Sequence, residues 1–377
     1  MGFIITQKDS LKNLLHFIGW RTKRKIVVLE SDDWGSIRMP SITAYNNLWN
    51  GGVELSSDEG FRYNKYDSLE SAEDLALLFE VLASVKDSTS RTAVLSPYSV
   101  VANPDFKKIK QTDFNEYFYE PFTITLNRYY GDDKAFSLWK AGVRDRLFVP
   151  QFHGREHLNV RVWMKALRKE NKKTRLAFEN ELWGISSANE SEVGVEYQAA
   201  FDLLEKEDLE FHKEIIVSGL SLFKELFGYR ATCFVPPNGL LSSKLESTCF
   251  SEGIKYLSVS RKRAEPLGKG VTRDRYHCLG QKNRSGLTYI TRNCFFEPSQ
   301  SRKDWIDSCL KDISVAFKWQ KPAIISSHRV NYSGRFYPIN RENGLKGLRI
   351  LLNRILNTWP DTEFLTTAEL GELISNE

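Results

Sequence analysis

Ile26-Val27-Val28-Leu29-Glu30-Ser31-Asp32-Asp33-Trp34-Gly35 reads as a short buried strand, Ile26–Glu30, that ends in two adjacent carboxylates. The run is too short for a typical helix, and its β-branched content favours a strand. Similar runs follow at Thr92–Ser96, Phe148–Phe152, Ala231–Val235, Tyr256–Ser260, Thr288–Phe296 and Ala323–Ser327, with a short last one at Glu363–Thr366. Helical periodicity lies between many of them. Leu75, Phe79 and Leu82 mark a face within Glu70–Val85. Ile215, Leu222, Phe223 and Leu226 mark another, which should end at Gly228. Trp305, Cys309, Ile313 and Phe317 mark a third, and Leu345, Leu348, Leu352 and Ile355 a fourth. Strands alternating with helices predict a parallel α/β sheet, open or closed into a barrel. Two stretches, Asn103–Arg146 and Asn159–His212, exceed a simple crossover and read as insertions on connecting loops.

Composition narrows the class. The chain has 377 residues, 41% hydrophobic and 27% charged, which suits a globular protein with a large core. A net charge of +5, spread without a basic stripe, gives nucleic acid binding no support. Cys233, Cys249, Cys278, Cys294 and Cys309 are odd in number and contain no CxxC, so neither a disulfide framework nor a zinc ribbon is expected. Residues 1–24 are expected to form a short amphipathic helix, with Leu11, Leu14, Leu15 and Ile18 on one face. Its apolar run is too short to span a membrane and no small-residue cleavage site follows. A cytoplasmic location is therefore expected, with a weak contact of residues 8–25 to the inner membrane face as the sharper alternative. Residues 25–377 are expected to form a single barrel domain.

The polar residues with chemical potential cluster by position. Asp32 and Asp33 follow the first strand, His153 the third, Pro236-Pro237-Asn238-Gly239 the fourth, Glu297 the sixth and His328 the seventh. In a parallel α/β architecture the carboxyl ends of strands share one face and build the active site. His153 and His157, four apart, could meet on one side of a helical turn and bind a metal. One of the two carboxylates, Asp32 or Asp33, on a neighbouring strand end would complete a set of two histidines and one aspartate. The other could then act as a base on water. Trp34, beside Asp33, could stack on a pyranose ring.

The Asp-Asp pair after strand one, a histidine pair after a later strand, a Pro-Pro-x-Gly turn and a late strand ending in histidine resemble the polysaccharide deacetylase superfamily. These are carbohydrate esterases of the family 4 type, with the nodulation-type deacetylase homology fold. The resemblance spans about Lys25 to Leu370, with the motifs in the family's order. It implies a distorted (β/α)7 barrel and a divalent metal, zinc first, with cobalt, nickel or manganese as others. It implies Asp32 as general base, Asp33, His153 and His157 as metal ligands, and His328 as general acid. Pro237, Asn238 and Gly239 would shape a groove wall and supply the oxyanion contact. The implied reaction is hydrolysis of N-acetyl groups, or O-acetyl or N-formyl groups, on a sugar, oligosaccharide or glycolipid precursor.

The sequence departs from the family pattern in ways that mark a divergent branch. Val235 stands where arginine usually precedes the double proline, with Arg230 upstream. Asn238 stands where an aromatic residue is common. The usual Asp-Trp motif has no clear match; Glu297, at a strand end, or Asp304 of Asp304-Trp305 could replace it. Three rivals are open on sequence alone. His153-x-x-Glu156-His157 fits the H-x-x-E-H pattern of zinc proteases. A barrel with weak or no turnover could simply bind carbohydrate. A glycoside hydrolase could use Asp32 and Glu297 as its carboxylate pair.

Overall fold

A computed structural model describes residues 18–56, 60–131, 134–186, 195–300 and 303–377. The expected N-terminal helix and its membrane contact fall mainly on residues 1–17, outside the described residues. Residues 18–24 are irregular rather than helical. They lie on the body of the protein, where the Lys321 ammonium donates to the carbonyls of Ile18, Gly19 and Trp20 at 3.0, 2.7 and 2.7 Å. Among the described residues no helix is long and apolar enough to cross a membrane.

The main sheet has nine strands, all parallel. They are β1 (Lys25–Trp34), β2 (Leu95–Ser99), β3 (Gln151–Phe152), β4 (Cys233–Phe234), β5 (Tyr256–Val259), β6 (Thr288–Thr291), β7 (Cys294–Phe295), β8 (Ala323–His328) and β9 (Thr362–Leu365). Their order is β6-β5-β4-β3-β2-β1-β8-β7, with β9 beside the first residues of β1. The sheet curls into a distorted barrel. Its edge strands, β6 and β7, are consecutive in the chain, and Arg292 and Asn293 step from one edge to the other. Thr288–Phe296, expected as one strand, is therefore two strands on opposite edges. The break is fixed from both sides: the Arg292 N–H bonds the Val259 carbonyl at 3.2 Å, and the Asn293 side chain accepts from the Ile324 N–H at 2.8 Å. No ladder joins β6 to β7 among the described residues; the chain itself closes the ring.

Other expected strands are present with moved ends. The second begins three residues later than expected. Only the last two residues of Phe148–Phe152 join a ladder as a strand, because Pro150 offers no N–H to continue it. The four helices expected between the strands are present, as Ala72–Ala83, Asp208–Phe227, Trp305–Lys318 and Pro338–Thr358. Ser71 and Asp74 cap the first reciprocally. Gly228 ends the second in the left-handed region at φ 78°.

Helices Ala72–Ala83, Trp305–Lys318 and Pro338–Thr358 pack on the outside of β1, β2 and β8. Leu78, Leu82, Ile313, Leu348, Leu351 and Leu352 are all buried there against Val27, Leu95 and Ile325. Burial of each such side chain contributes roughly 1.5–3 kcal/mol. The two long insertions and the segment after β1, with Ile37, Leu48 and Leu55, build a second apolar cluster that includes Phe106, Trp163, Phe178 and Trp183. Their polar loops thereby gain a rigid base beside the carboxyl ends of the strands.

Candidate metal and acid-base site

The carboxyl ends of the strands surround a cavity of about 880 Å³. Adjacent residues of a regular strand point to opposite faces, yet Asp32 and Asp33 both line this cavity. The cause is local. The β1–β2 register shifts between Ser31 and Trp34, and Asp33 has a φ of 74°. Aspartate tolerates this left-handed conformation better than most side chains do. The kink turns the second carboxylate back beside the first.

Asp33 meets His153 and His157. Its Oδ1 lies 3.5 Å from Nε2 of His153 and 3.2 Å from Nε2 of His157. All three side chains are buried, and their candidate ligand atoms lie within 4.8 Å of one another. The expected helical turn around the histidines is absent: residues 153–159 form an irregular loop. Gly154 has a φ of 119°, and the Arg155 carbonyl pins the loop by accepting from Val101 and Ala102 at 3.0 and 2.7 Å. His153 Nδ1 lies 2.7 Å from the Val235 carbonyl. A carbonyl can only accept, so Nδ1 is the donor and Nε2 is the ring nitrogen that faces Asp33. That buried Nε2 has no hydrogen-bond partner. His157 stacks on Trp183, with ring centroids 5.9 Å apart.

This donor set fits a divalent ion. Tetrahedral ligands about 2.1 Å from a metal stand ~3.4 Å apart, close to the spacings seen around Asp33. The Val235 carbonyl also supplies the outer hydrogen bond that fixes a ligating imidazole.

Two charged pairs flank these ligands. Asp32 and His328 sit at matching positions on neighbouring strands, paired across β1 and β8. Asp32 is gripped in bidentate fashion by Arg292, with Nη1–Oδ2 and Nη2–Oδ1 both 2.6 Å. Burial pushes the Asp32 carboxyl up, but the Arg292 guanidinium outweighs it and holds the group below its ordinary value. His328 Nδ1 lies 2.6 Å from Glu297 Oε1. Burial would lower the imidazole, but the Glu297 carboxylate outweighs it and raises His328 to about 9. The other Glu297 oxygen accepts from Asn331 at 3.0 Å and pairs with Arg62.

In three dimensions the chain is similar to polysaccharide deacetylases. A protein of Pseudomonas aeruginosa PAO1 described as a polysaccharide deacetylase superposes with a TM-score of 0.48 at 9% identity, over 94% of this chain and 92% of that one. One from Mycobacterium smegmatis gives 0.46 at 10% identity, over 95% and 93%. The Puue allantoinase gives 0.47 at 12% identity, over 94% and 91%. No protein-family model and no curated protein matches the sequence.

Several expectations for single residues need correction. Trp34 is not a sugar platform. It is 1% exposed, donates Nε1–H to Ser31 Oγ at 2.9 Å and packs edge-on against Trp139 and Phe148. Pro236, Asn238 and Gly239 line the cavity, but Pro237 is buried beneath them toward Gly154. Glu297, expected against substrate, has both oxygens occupied and supports His328 instead. Asp304 caps helix Trp305–Lys318 by accepting from Ile306 and Asp307, so it does not replace the Asp-Trp motif. Arg230 lies toward Gly253, before β5 begins, and has no part in the site. Glu156 forms a buried bidentate pair with Arg155 at 2.6 and 2.7 Å, which removes it as a protease base. The glycoside hydrolase reading fares no better, since His328 and Arg62 hold Glu297, the second carboxylate it needs.

Sequence reading missed Arg292, Arg62 and Asn331. A signal for Arg292 existed: a guanidinium inside a run otherwise suited to a buried strand is costly unless it is paired. It also missed the aromatic wall. Phe295, 45% exposed, and the half-buried Trp305 both line the cavity. If the cavity takes a sugar, Phe295→Ala is expected to raise its KM by roughly 3- to 10-fold with kcat little changed, the scale of one lost aromatic contact. Steady-state kinetics on the purified variant would check this, and an unchanged KM would remove Phe295 from substrate binding.

Proposed function

We propose that this chain is a metal-dependent hydrolase that removes an acyl group, N-acetyl foremost, from a carbohydrate. The observation that supports it most is the Asp33–His153–His157 cluster sharing one cavity with an ionised carboxylate, Asp32, and a proton-holding imidazole, His328. The order of the sequence motifs and a roomy polar cavity with an aromatic wall favour a sugar as substrate.

A divalent ion held by Asp33, His153 and His157, zinc being the best fit, would polarise the acyl carbonyl and acidify the attacking water. Asp32 accepts a proton from that water as its oxygen joins the acyl carbon. Arg292 keeps Asp32 ionised and aimed. The carbonyl oxygen gains charge and needs a donor. Pro236 and Pro237 have no N–H, and that of Gly239 bonds the Pro236 carbonyl at 2.8 Å. The Asn238 N–H is the donor left to the turn, and a φ of 52° at Asn238 shapes it. His328 then gives its proton to the departing nitrogen or oxygen as the bond to the acyl carbon breaks. The products are a free carboxylic acid and the deacylated sugar.

Acetate release from a panel of N- and O-acetylated sugars tests this reading; a metal-loaded protein that releases none from any of them would end it. The pH profile tests the acid. His328 carries its proton below about pH 9 and loses it as pH rises. Turnover should therefore fall above that pH. Glu297→Gln should move this limb down toward the ordinary histidine value of about 6.5. The loss should be small for an activated phenyl acetate, whose leaving group needs no proton. Equal losses on both substrates would show that His328 acts otherwise.

A further inference from the structure

Arg292 is a clamp that itself needs holding. It enters the barrel from the two-residue step between β6 and β7, on a long side chain with several rotatable bonds. Two of its nitrogens grip Asp32. The third, Nε, donates to Glu30 Oε2 at 2.5 Å. Glu30 lies two residues before Asp32 on β1 and is 0% exposed.

A fully buried carboxylate is costly unless its oxygens are satisfied. Hydroxyls from three other elements satisfy Glu30. Thr367, opening helix Thr367–Asn376, donates to Oε1 at 2.7 Å. Ser258 of β5 reaches Oε1 and Oε2 at 3.2 and 2.9 Å. Tyr98 of β2 reaches Oε1 at 3.3 Å. These donors leave one lone-pair direction for Arg292. A planar guanidinium fixed along its Nε edge has its far edge fixed too, because resonance forbids rotation within the group.

We propose that Glu30 is a positioning residue: it orients Arg292 so that the guanidinium presents its bidentate edge to Asp32. This rests on the hydrolase reading above, with Asp32 as the base. Glu30 touches neither the cavity's candidate ligands nor His328. Val235 leaves no arginine on the Pro-Pro turn, so the clamp on Asp32 comes from the step between β6 and β7 and its Nε edge rests on Glu30.

Glu30→Gln keeps the size and one acceptor but removes the charge. The expected result is a fall in kcat of about tenfold to a hundredfold, the range that misplacement of a catalytic group produces, with KM changed less than about twofold. Metal content should match the unsubstituted protein. A second readout needs no activity. In nitrogen-15 NMR of the arginine side chains, Arg292 Nε–H should give a downfield, slowly exchanging signal, assigned by its absence in Arg292→Lys. Glu30→Gln should shift it upfield and speed its exchange. Should Glu30→Gln fail to fold, Thr367→Val removes one hydroxyl from Glu30 and should move the same signal and kcat in the same direction, by less. An Arg292 signal unchanged in the folded variant, or a kcat unchanged in an active enzyme, overturns the proposal. Failure of the unsubstituted protein to release acetate would instead count against the hydrolase reading, and the NMR signal would still decide whether Glu30 orients Arg292.

Discussion

Replacing His153 by Ala is expected to strip the metal and reduce turnover on the order of 10³-fold or more, since loss of one oxyanion stabiliser alone already costs ~10²–10³. The prediction follows from the donor count. Asp33 and His157 would remain, and two protein ligands rarely hold zinc tightly. The side chain is buried and its Nε2 has no hydrogen-bond partner within the protein, which leaves that atom available to a metal. Elemental analysis of the unsubstituted protein after zinc loading should give about one ion per chain, and His153→Ala should give close to none. If the variant holds the ion as well as its parent, the ligand assignment is wrong. If neither binds metal, the hydrolase reading falls and a carbohydrate-binding barrel becomes the better one.

Asp32→Asn should separate binding from chemistry. Asparagine is nearly isosteric and keeps an oxygen that can accept from Arg292. Metal content should therefore stay near normal. The lost basicity should lower kcat by roughly 10²–10⁴-fold, the usual contribution of a positioned general base. Loss of metal together with activity would mean that Asp32 and Asp33 have exchanged roles. The local backbone argues against that exchange. Asp32 remains in register with His328 and is locked to Arg292, whereas the φ of 74° turns Asp33 toward the two histidines.

Much of this site was legible before any fold was seen, because strand ends in a parallel sheet collect on one face. That rule alone brought Asp32, Asp33, His153, the Pro-Pro turn, Glu297 and His328 together, although they span some 300 positions in the chain. What the rule could not supply was orientation. Trp34 looked like a surface aromatic because it adjoins Asp33, but the register shift that turns Asp33 toward the cavity sends Trp34 into the core. Glu297 looked like a substrate contact because it ends a strand, but His328 and Arg62 arrive from distant segments and occupy it.

The sequence by itself determined the parallel α/β class, the carboxyl-end location of the chemistry and the short list of residues from which a metal site could be drawn. These depend on local periodicity and on residue type, which are written along the chain. Tertiary structure alone decided who supports the catalytic groups. Arg292 reaches Asp32 only because Thr288–Phe296 breaks and the chain crosses between the sheet's two edges. Glu30 can hold Arg292 only because hydroxyls from β2, β5 and the last helix converge on it in the barrel floor. Buried charge must be paired wherever it lies, and its partners are chosen by proximity in space, with no requirement on spacing in sequence.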